Sequence, residues 1–459
     1  MDKFLEETIA AIATPLGEGG IAVIRVSGPE AFLVAEKVFR SVKGGSLQQA
    51  SSHTIHLGNA VAADGKAVDQ VLASVFKAPH SYTGEDTVEV SCHGGLVVSR
   101  KILDLLYQAG AKPAQPGEFT KRAFINGKID LTQAEAVLDL IRAKSDRARE
   151  IAVRQLSGSL SQRFKVLRDG MMSLYGNMEA YLDFPDEDLE IDIRDGMQKN
   201  LSEIEKEIRA LLAGFSKNSL VREGAFVVLA GKPNAGKSSL FNALLERDRA
   251  IVSDIPNTTR DVIEEPLEIG GFWLRLADTA GIVSTPEHPL DEMSMRRSRD
   301  AIEKCHLVLF VADGSKPLDD ADKTVLQKIP ADKHRLVLIN KSDLPLKLTA
   351  ENQKMLGGAI SISTKTGQGL SDLEKALSEF LEKQTSDTGE QITKLRHHHA
   401  LTQALEALER ARTAYDQKLS LEFVTLDLKA AIDALEELIG SIYSEDLLDI
   451  IFSQFCIGK

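Results

Sequence analysis

The residues whose spacing most clearly indicates chemistry are 231–238, which match the phosphate-binding pattern G-x-x-x-x-G-K-[ST] at every fixed position. An apolar run at 225–230 precedes the pattern and a helix-like stretch at 239–245 follows it, and this context gives the match its weight. Glycines let backbone N–H groups converge on phosphate oxygens, Lys237 can reach the β- and γ-phosphates, and the Ser238 hydroxyl can ligate Mg²⁺. The phosphate-contacting residues that the pattern predicts are Asn234, Ala235, Gly236, Lys237, Ser238 and Ser239.

A second polar segment indicates which nucleotide binds. The N-K-S-D segment at 340–343 follows the apolar run 336–339 and resembles the guanine-reading N-K-x-D loop of translation-factor-like GTPases. An aspartate accepts two hydrogen bonds from guanine, whereas adenine lacks this donor pair. The alternative is a polar turn after a strand. The S-T-K segment at 363–365 resembles the last loop of these GTPases, so GTP is predicted. The residues assigned to the base are Asn340, Lys341, Ser342, Asp343, Ser363, Thr364 and Lys365.

Two segments between these loops have the pattern of nucleotide-dependent switches. A D-T-A-G segment at 278–281 ends an apolar run, and the glycine pair 270–271 before that run predicts a hairpin turn. The resemblance to GTPases implies that Asp278 holds Mg²⁺ through a water, that the Gly281 N–H contacts the γ-phosphate, and that Thr259 ligates Mg²⁺. The other switch residues assigned to the nucleotide are Ser253, Asp254, Ile255, Thr258, Thr279 and Ala280.

The hydrolytic site departs from that of Ras-type GTPases, because Ile282 occupies the position of the glutamine that orients the attacking water. Hydrolysis must therefore use another group. Asn234 resembles the asparagine of potassium-activated GTPases, in which K⁺ takes the place of an arginine finger; the alternative is a residue that only shapes the loop. The residues predicted to hold Mg²⁺ are Ser238 and Thr259. Those predicted to hold K⁺ are Asn234 and, mainly through backbone carbonyls, Ser253, Ile255 and Thr258.

Length, charge and cysteine content limit the classes of protein to which the chain can belong. Its 459 residues predict roughly two to four domains, and a formal net charge of −13 argues against non-specific coating of nucleic acid. Three cysteines without paired spacing suit a reducing cytosol. The sequence has neither a run of about 18 apolar residues nor a signal-peptide pattern at its start. We therefore expect a cytoplasmic protein without membrane spans.

Hydrophobic patterning changes along the chain. Strand patterns at 21–26 and 87–92, with glycine-rich turns between elements, predict a β-rich N-terminal region with helices. Apolar residues at spacings of three and four then predict an amphipathic helix. These residues are Leu156, Leu160, Phe164, Leu167, Met171, Leu174, Met178 and Tyr181.

The predicted fold class is multidomain, with α/β and all-α parts. We expect an N-terminal α+β domain at 1–118 and a helical domain formed by 119–219 together with 385–459. A Ras-like P-loop GTPase domain at 220–384 is predicted to be inserted into the helical domain. Such a module can move as a unit relative to its host.

Segments near the two ends of the chain are more distinctive than the P-loop. They are G-G-I-A-V-I-R at 19–25, S-Y-T-G-E-D at 81–86, H-G-G at 93–95, P-G-E-F-T-K-R-A-F at 116–124, N-G-K-I-D-L-T-Q-A-E-A at 126–136 and F-C-I-G-K at 455–459. Over essentially its whole length, the chain therefore resembles the MnmE (TrmE) family of tRNA uridine-modification GTPases.

This resemblance implies a site for a one-carbon tetrahydrofolate (5-formyl or 5,10-methylene) in the N-terminal domain. The residues it assigns to the folate are Arg25, Glu89, Lys128 and Lys459. Glu89 can accept hydrogen bonds from pterin N–H groups, while the cations suit carbonyls and carboxylates. Cys456 is the implied candidate for a catalytic thiol. From the residues alone, the alternatives are surface charges and a small buried hydrophobe.

The resemblance also implies a hydrolytic acid and partners. An acid after the second switch orients the water through a second water; Asp291 is the first candidate, Glu292 the second, and a solvated surface acid the alternative. The implied assembly is a homodimer through the N-terminal domain that forms a heterotetramer with the FAD-containing protein MnmG (GidA). Its substrate is the wobble uridine of certain tRNAs, modified at C5 with nitrogen from glycine or ammonium. The rivals are a ribosome-assembly or regulatory GTPase switch and a free-standing folate enzyme with a regulatory GTPase.

Overall fold

The computed structural model describes residues 6–183, 190–249, 264–278, 299–385 and 392–459. Contacts group the chain into two compact units whose segments alternate along the sequence. The first comprises Met1–Leu138, Arg154–Ile204 and Ala400–Lys459, and the second Asp139–Val153 and Glu205–His399. Each unit is therefore assembled from segments far apart in sequence. The three-domain division given above stays a prediction.

Besides a helical stretch at 299–304, the helices of the described ranges follow one another from the N-terminal region to the last residues. They are α1 (Ala31–Val38), α2 (Leu96–Ala109), α3 (Glu118–Ile125), α4 (Leu131–Arg142), α5 (Asp146–Leu156), α6 (Ser159–Asp183), α7 (Glu190–Glu223), α8 (Lys237–Arg249), α9 (Asp320–Lys328), α10 (Ala350–Leu356), α11 (Leu370–Gln384), α12 (Leu395–Asp416), α13 (Leu421–Ile439) and α14 (Glu445–Phe452).

A seven-stranded sheet organises the N-terminal part of the first unit. Its strands are β1 (Ile9–Ile12), β2 (Ile21–Ser27), β3 (Phe39–Ser41), β4 (Thr54–Val61), β5 (Ala67–Phe76), β6 (Thr87–His93) and β7 (Lys112–Pro113). They lie in the order β3-β4-β5-β6-β2-β1-β7, and the pairs are antiparallel except for β1 with β7. The strands predicted at 21–26 and 87–92 are thereby confirmed as β2 and β6.

Side chains along β2 and β6 alternate between the two faces of the sheet, and this alternation determines which of them are available for a site. Ile24 and Val90 are buried in a core that α1 and α2 complete. Because successive residues of a strand point to opposite faces, Arg25 and Glu89 lie on the other face. The register places these two residues directly opposite each other.

The long helices of the first unit pack through the predicted apolar stripe, and α6 lies along α13. The stripe residues buried in α6 are Leu160, Phe164, Leu167, Met171, Leu174 and Met178. The structure differs from the prediction at Leu156, which ends α5 and is only partly buried. Gly158, with a φ of +86°, separates the two helices, so the stripe belongs to two elements.

The second unit contains a six-stranded sheet of mainly parallel strands. They are β8 (Ala225–Ala230), β9 (Glu264–Ile269), β10 (Phe272–Asp278), β11 (Leu307–Asp313), β12 (Arg335–Asn340) and β13 (Ile360–Ser361). The order is β13-β12-β11-β8-β10-β9, and only β9 and β10 pair antiparallel. Apolar clusters cover both faces. Ligands of such sheets bind at the carboxyl ends of the strands, where the strand order reverses around β8.

The glycine pair 270–271 forms the predicted hairpin turn between β9 and β10. Both glycines have positive φ, +59° and +80°, as a two-residue hairpin turn requires. The start of α5 contacts this hairpin: Arg147 N donates to Gly271 O at 3.1 Å, and Asp146 N donates to Glu268 Oε1 at 3.2 Å. These contacts explain why 139–153 joins the second unit. Over the described ranges, no helix has the length and apolar character needed to span a membrane.

Candidate functional site: a nucleotide loop and a second polar cluster

The predicted P-loop connects β8 to α8 and encloses the Lys237 ammonium group. Lys237 is only 9% exposed, and its Nζ donates to the carbonyl oxygens of Gly231 at 2.9 Å and Lys232 at 3.1 Å. Burial lowers the pKa of Lys237, while the charge of Asp278 opposes that shift. Neutral carbonyls are therefore its hydrogen-bond acceptors, and its positive charge remains available to an anion.

Close backbone approaches explain the glycines of the loop. A Cβ at Gly231 would lie 2.4 Å from Val311 O, and one at Gly236 would lie 2.1 Å from Asn340 Nδ2. Gly236 also has a φ of +96°, a region that other residues rarely adopt. Asn234, at φ +63°, occupies the left-handed region that asparagine tolerates better than most residues. The shape of the loop therefore depends on these residue types.

Asn340 connects the three loops from which the guanine site is predicted. It is fully buried at the end of β12, and its Nδ2 donates to Ala235 O at 3.0 Å. Its Oδ1 accepts from Lys341 N at 2.8 Å and from Thr364 N at 3.2 Å. One amide group thus satisfies backbone groups in the P-loop, the N-K-S-D loop and the S-T-K loop.

The Lys341 ammonium group links the N-K-S-D loop to the P-loop and to the end of β11. Its Nζ donates to Asp313 Oδ2 at 2.7 Å and to Asn234 O at 3.1 Å. Burial tends to raise the pKa of Asp313, but hydrogen bonds from Lys341 and Ser315 outweigh it and hold that pKa below its usual value. Asp313 is therefore an anion that fixes the lysine beside the P-loop.

Asp343, the predicted guanine acceptor, is exposed and oriented by Ser363. The Ser363 hydroxyl donates to Asp343 Oδ1 at 2.7 Å and accepts from Thr366 N at 3.2 Å. The other carboxylate oxygen, Oδ2, makes no hydrogen bond to the described residues. Ser342 lies between Lys341 and Asp343, and its N–H donates to Ile362 O at 3.0 Å.

The end of β10 supplies groups that fit a divalent cation. Ser238 Oγ donates to Asp278 Oδ2 at 2.7 Å. Asp278 Oδ1 is buried and has no hydrogen-bond partner among the described residues. A carboxylate with an unsatisfied oxygen beside a hydroxyl suits the oxygen coordination of Mg²⁺. Among the other predicted contacts, Ser239 and Lys365 are exposed.

The remaining residues predicted for the nucleotide, metal and hydrolytic sites lie outside the described residues. They are Ser253, Asp254, Ile255, Thr258, Thr259, Thr279, Ala280, Gly281, Asp291 and Glu292.

A second polar cluster lies in the first unit, on the sheet face opposite α1 and α2. Arg25 Nε donates to Glu89 Oε1 at 2.9 Å, and Nη2 lies 2.8 Å from the same oxygen in an ion pair. The third guanidinium nitrogen, Nη1, is buried and has no hydrogen-bond partner in the described structure. The Arg25 Cζ lies 5.1 Å from the centre of the Tyr82 ring and 5.5 Å from that of Phe119. A paired but incompletely satisfied guanidinium thus lies between two aromatic rings.

The C-terminal segment reaches the same cluster. Burial lowers the pKa of Lys459, Arg25 lowers it further, and Glu89 opposes both effects, so the lysine senses both charges. Gly458 makes this approach feasible, since its φ is +97° and a Cβ there would lie 2.3 Å from Ile12 O. The thiol of Cys456 is unpaired and exposed.

Lys128, the fourth predicted folate residue, makes a different contact. It is exposed, and its Nζ donates to Pro79 O at 2.9 Å. None of its hydrogen bonds in the described structure joins it to Arg25, Glu89 or Lys459. The structure therefore brings three of the four residues together.

Comparison with known proteins identifies the family. The model for the TrmE N-terminus, described as that of a GTP-binding protein, matches residues 8–128, and the MnmE helical-domain model matches residues 131–456. The tRNA modification GTPase MnmE of Alkaliphilus metalliredigens is 43% identical over 462 residues, which cover 99% of this chain and 100% of the relative. That of Geobacter metallireducens is 42% identical over 460 residues, with the same coverage. The chain belongs to the MnmE (TrmE) family.

Membership of the MnmE family makes the chain a GTP-binding protein and a GTP hydrolase of tRNA modification. Among solved structures, it is similar to Aquifex aeolicus Era bound to GDP and AlF₄⁻. The identity is 26%, with 40% of this chain and 66% of that chain covered, at a TM-score of 0.29.

Several residues that shape these MnmE-family sites were not found from the sequence. Asp313 ends a strand beside the P-loop strand, a position that favours ligand-site residues, but its pairing with Lys341 is visible only in three dimensions. Lys232, inside the P-loop, donates to Asp319 Oδ2 at 3.0 Å and Asp322 Oδ2 at 2.7 Å. Tyr82 belongs to the S-Y-T-G-E-D segment, whose pattern alone does not predict the contact of its ring with Arg25.

Proposed function

We propose that the chain is a potassium-stimulated GTPase that acts with the FAD-containing protein MnmG to modify C5 of the wobble uridine in certain tRNAs. A one-carbon tetrahydrofolate supplies the carbon in this proposal. The observation that carries it is the cluster of Arg25, Glu89 and Lys459, in the same chain as a complete set of guanine-site loops. A GTPase that is only a switch has no need of such a cluster.

In the proposed nucleotide site, each loop has one task. The P-loop N–H groups and Lys237 bind the phosphates; among the described residues, the Lys237 Nζ donates its hydrogen bonds to neutral carbonyls, with Asp278 as a nearby charge. Asp343 accepts hydrogen bonds from guanine, because Ser363 orients one oxygen and leaves the other unpaired. Ser238 and Thr259 would ligate Mg²⁺, and Asp278 would hold it through a water. The ion neutralises charge on the transferring phosphoryl group.

Asn234 is the described residue that supports potassium activation. Its carbonyl accepts from Lys341, while its exposed side-chain amide makes no hydrogen bond to the described residues. The amide oxygen is therefore available to a cation beside the phosphates, together with Ser253, Ile255 and Thr258. K⁺ supplies positive charge against the developing phosphate charge. Asp291, or Glu292, orients the attacking water in the proposed mechanism.

Cation replacement tests this part of the proposal. At constant ionic strength, exchanging K⁺ for Na⁺ should slow GTP turnover by about tenfold or more. Asn234→Ala should abolish the difference between the two ions. Asn352→Ala, at a partly buried asparagine of α10, should retain it. Equal turnover in K⁺ and Na⁺ for the unmodified chain would refute potassium activation.

The proposed folate site uses groups that the Arg25–Glu89 pair leaves unsatisfied. Both contacts of Arg25 with Glu89 are to Oε1, so Oε2 can accept from pterin N–H groups. Arg25 Nη1 can donate to a ligand oxygen, and Lys459 adds a positive charge. Lys128 and the Cys456 thiol remain proposed participants, as ligand and nucleophile.

Calorimetry with 5-formyltetrahydrofolate tests the folate site. The unmodified chain should bind. Arg25→Ala should lose about tenfold or more in affinity, because it removes a charged hydrogen-bond donor and the group that orients Glu89. Lys66→Ala is the matched control, since Lys66 is an exposed lysine in the same unit. Failure of the unmodified chain to bind any reduced folate would leave the GTPase switch as the better function.

The proposed partners complete the reaction. A homodimer formed through residues 1–118 associates with MnmG and tRNA in the cytoplasm, and GTP hydrolysis supplies a conformational change rather than the carbon chemistry. The decisive experiment is nucleoside analysis of tRNA from a strain lacking this chain. Unmodified wobble uridines that a plasmid-borne copy restores are the expected result. Normal wobble uridines would contradict the proposal.

A further inference from the structure

A partly buried hydrogen bond links Tyr82, whose ring lies near Arg25, to α3. The hydroxyl oxygens of Tyr82 and Thr120 are 2.9 Å apart, and Thr120 is fully buried in α3. The neighbouring residue, Phe119, is also fully buried and presents its ring to Arg25, as Tyr82 does. The two rings near the guanidinium therefore come from separate segments, and this bond joins Tyr82 directly to the segment that carries Phe119.

The segment that carries Tyr82 is fixed by buried polar residues. Ser27 Oγ donates to Glu85 Oε2 at 2.7 Å and lies 2.7 Å from the Thr83 hydroxyl. Arg122 Nη1 donates to Glu85 Oε1 at 3.1 Å. Thr83 and Arg122 are both fully buried. The backbone that follows Tyr82 is consequently held in place, so the orientation of the ring depends mainly on its own side-chain torsions.

The segment that carries Phe119 and Thr120 is fixed by the same arginine. Arg122 Nη2 donates to Glu118 Oε1 at 2.8 Å, and Glu118 Oε2 accepts from Gln115 N at 2.7 Å. Gly117, with a φ of +68°, allows α3 to begin against α14, because a Cβ there would lie 2.5 Å from Phe452 O. Both sides of the Tyr82–Thr120 bond are thus anchored independently of it.

We propose that Thr120 is a positioning residue of the one-carbon site: its hydroxyl fixes the Tyr82 ring, which with Phe119 holds the Arg25 guanidinium so that Nη1 stays free for the ligand. The inference rests on the proposed folate function. A planar guanidinium held against aromatic faces loses little further freedom when a ligand binds. Without the hydroxyl, the Tyr82 ring rotates and no longer holds the Arg25 guanidinium. The guanidinium must then be ordered when the ligand binds, and this entropic cost weakens binding.

The test compares two substitutions of Thr120 that differ in one group. Thr120→Val removes the hydroxyl at nearly constant volume, whereas Thr120→Ser keeps it. By calorimetry, Thr120→Val should weaken binding of 5-formyltetrahydrofolate about fivefold, the value of one net hydrogen bond, and Thr120→Ser should bind like the unmodified chain. Tyr82→Phe should reproduce the loss. Adding Thr120→Val to Tyr82→Phe should cost nothing more, because the two hydroxyls act as a pair.

The outcomes separate this inference from the folate proposal itself. If Thr120→Val and Tyr82→Phe bind folate as the unmodified chain does, while Arg25→Ala does not, the positioning role is refuted and the folate site stands. If the two losses add independently, Thr120 acts through something other than Tyr82. Thermal unfolding of each variant checks the fold, and Tyr82→Phe keeps the test decisive where Thr120→Val fails to fold. If the unmodified chain itself does not bind folate, the proposed folate function is refuted, and the inference about Thr120 is refuted with it.

Discussion

Asn340→Ala should loosen all three loops of the guanine site together. The substitution removes one donor and one acceptor and leaves Ala235 O, Lys341 N and Thr364 N without their buried partner. At about 1 kcal/mol for each lost hydrogen bond, the free energy of unfolding of the second unit should fall by about 3 kcal/mol. Because these bonds also align the loops that contact nucleotide, GTP affinity should fall by about tenfold or more.

The assay for Asn340→Ala can follow this unit alone. The chain has one tryptophan, Trp273, which lies near the start of β10, so its fluorescence in urea reports unfolding of the second unit. Nucleotide affinity is measured by titrating a fluorescent GTP analogue. Asn352→Ala is the control and should change the free energy of unfolding by less than about 0.5 kcal/mol. An Asn340→Ala variant with unchanged urea midpoint and GTP affinity would refute this reasoning.

Three further predictions concern single contacts. Gly224→Ala should destabilise the second unit by about 2–4 kcal/mol in the same urea assay, because Gly224 has a φ of +82° and a Cβ there would lie 2.2 Å from Trp273 Cδ1. Burial raises the pKa of Cys305 to about 11, so mass spectrometry after iodoacetamide treatment at pH 8 should find Cys456 alkylated first; equal labelling would contradict this. Glu89→Gln should lower the pKa of Lys459 further, observable by NMR titration, because it removes the charge that raises it.

The sequence predicted the local parts of the nucleotide site because each motif includes its own structural context. The apolar run 225–230 and the glycines of the P-loop specify a strand and a phosphate-binding turn within one short segment, and the structure has β8 at that run. The turn at 270–271 was predictable for the same reason, since two adjacent glycines between strands permit positive φ.

Local sequence patterns could not predict features that depend on three-dimensional contacts or on the conformation of a single residue. The break between α5 and α6 needed a positive φ at Gly158, which a period of three or four apolar residues does not reveal. The contact of α5 with the β9–β10 hairpin joins residues more than 120 positions apart. The meeting of Lys459 with the Arg25–Glu89 pair was available only through family resemblance, because no local pattern connects the two ends of a chain.

The hydrogen-bond partners of each cation distinguish fixing a loop from binding a ligand. Lys341 has the Asp313 carboxylate as a partner, so its charge is already neutralised and its effect is to fix the loops. Among the described residues, Lys237 donates its hydrogen bonds to neutral carbonyls, and Arg25, although paired with Glu89, keeps one buried nitrogen without an acceptor. A buried cation that is incompletely satisfied is unfavourable until an anion or a hydrogen-bond acceptor binds. Lys237 and Arg25 are therefore suited to binding a ligand. Both lysines occur in motifs that predict nucleotide contact, so the sequence alone could not separate the two roles.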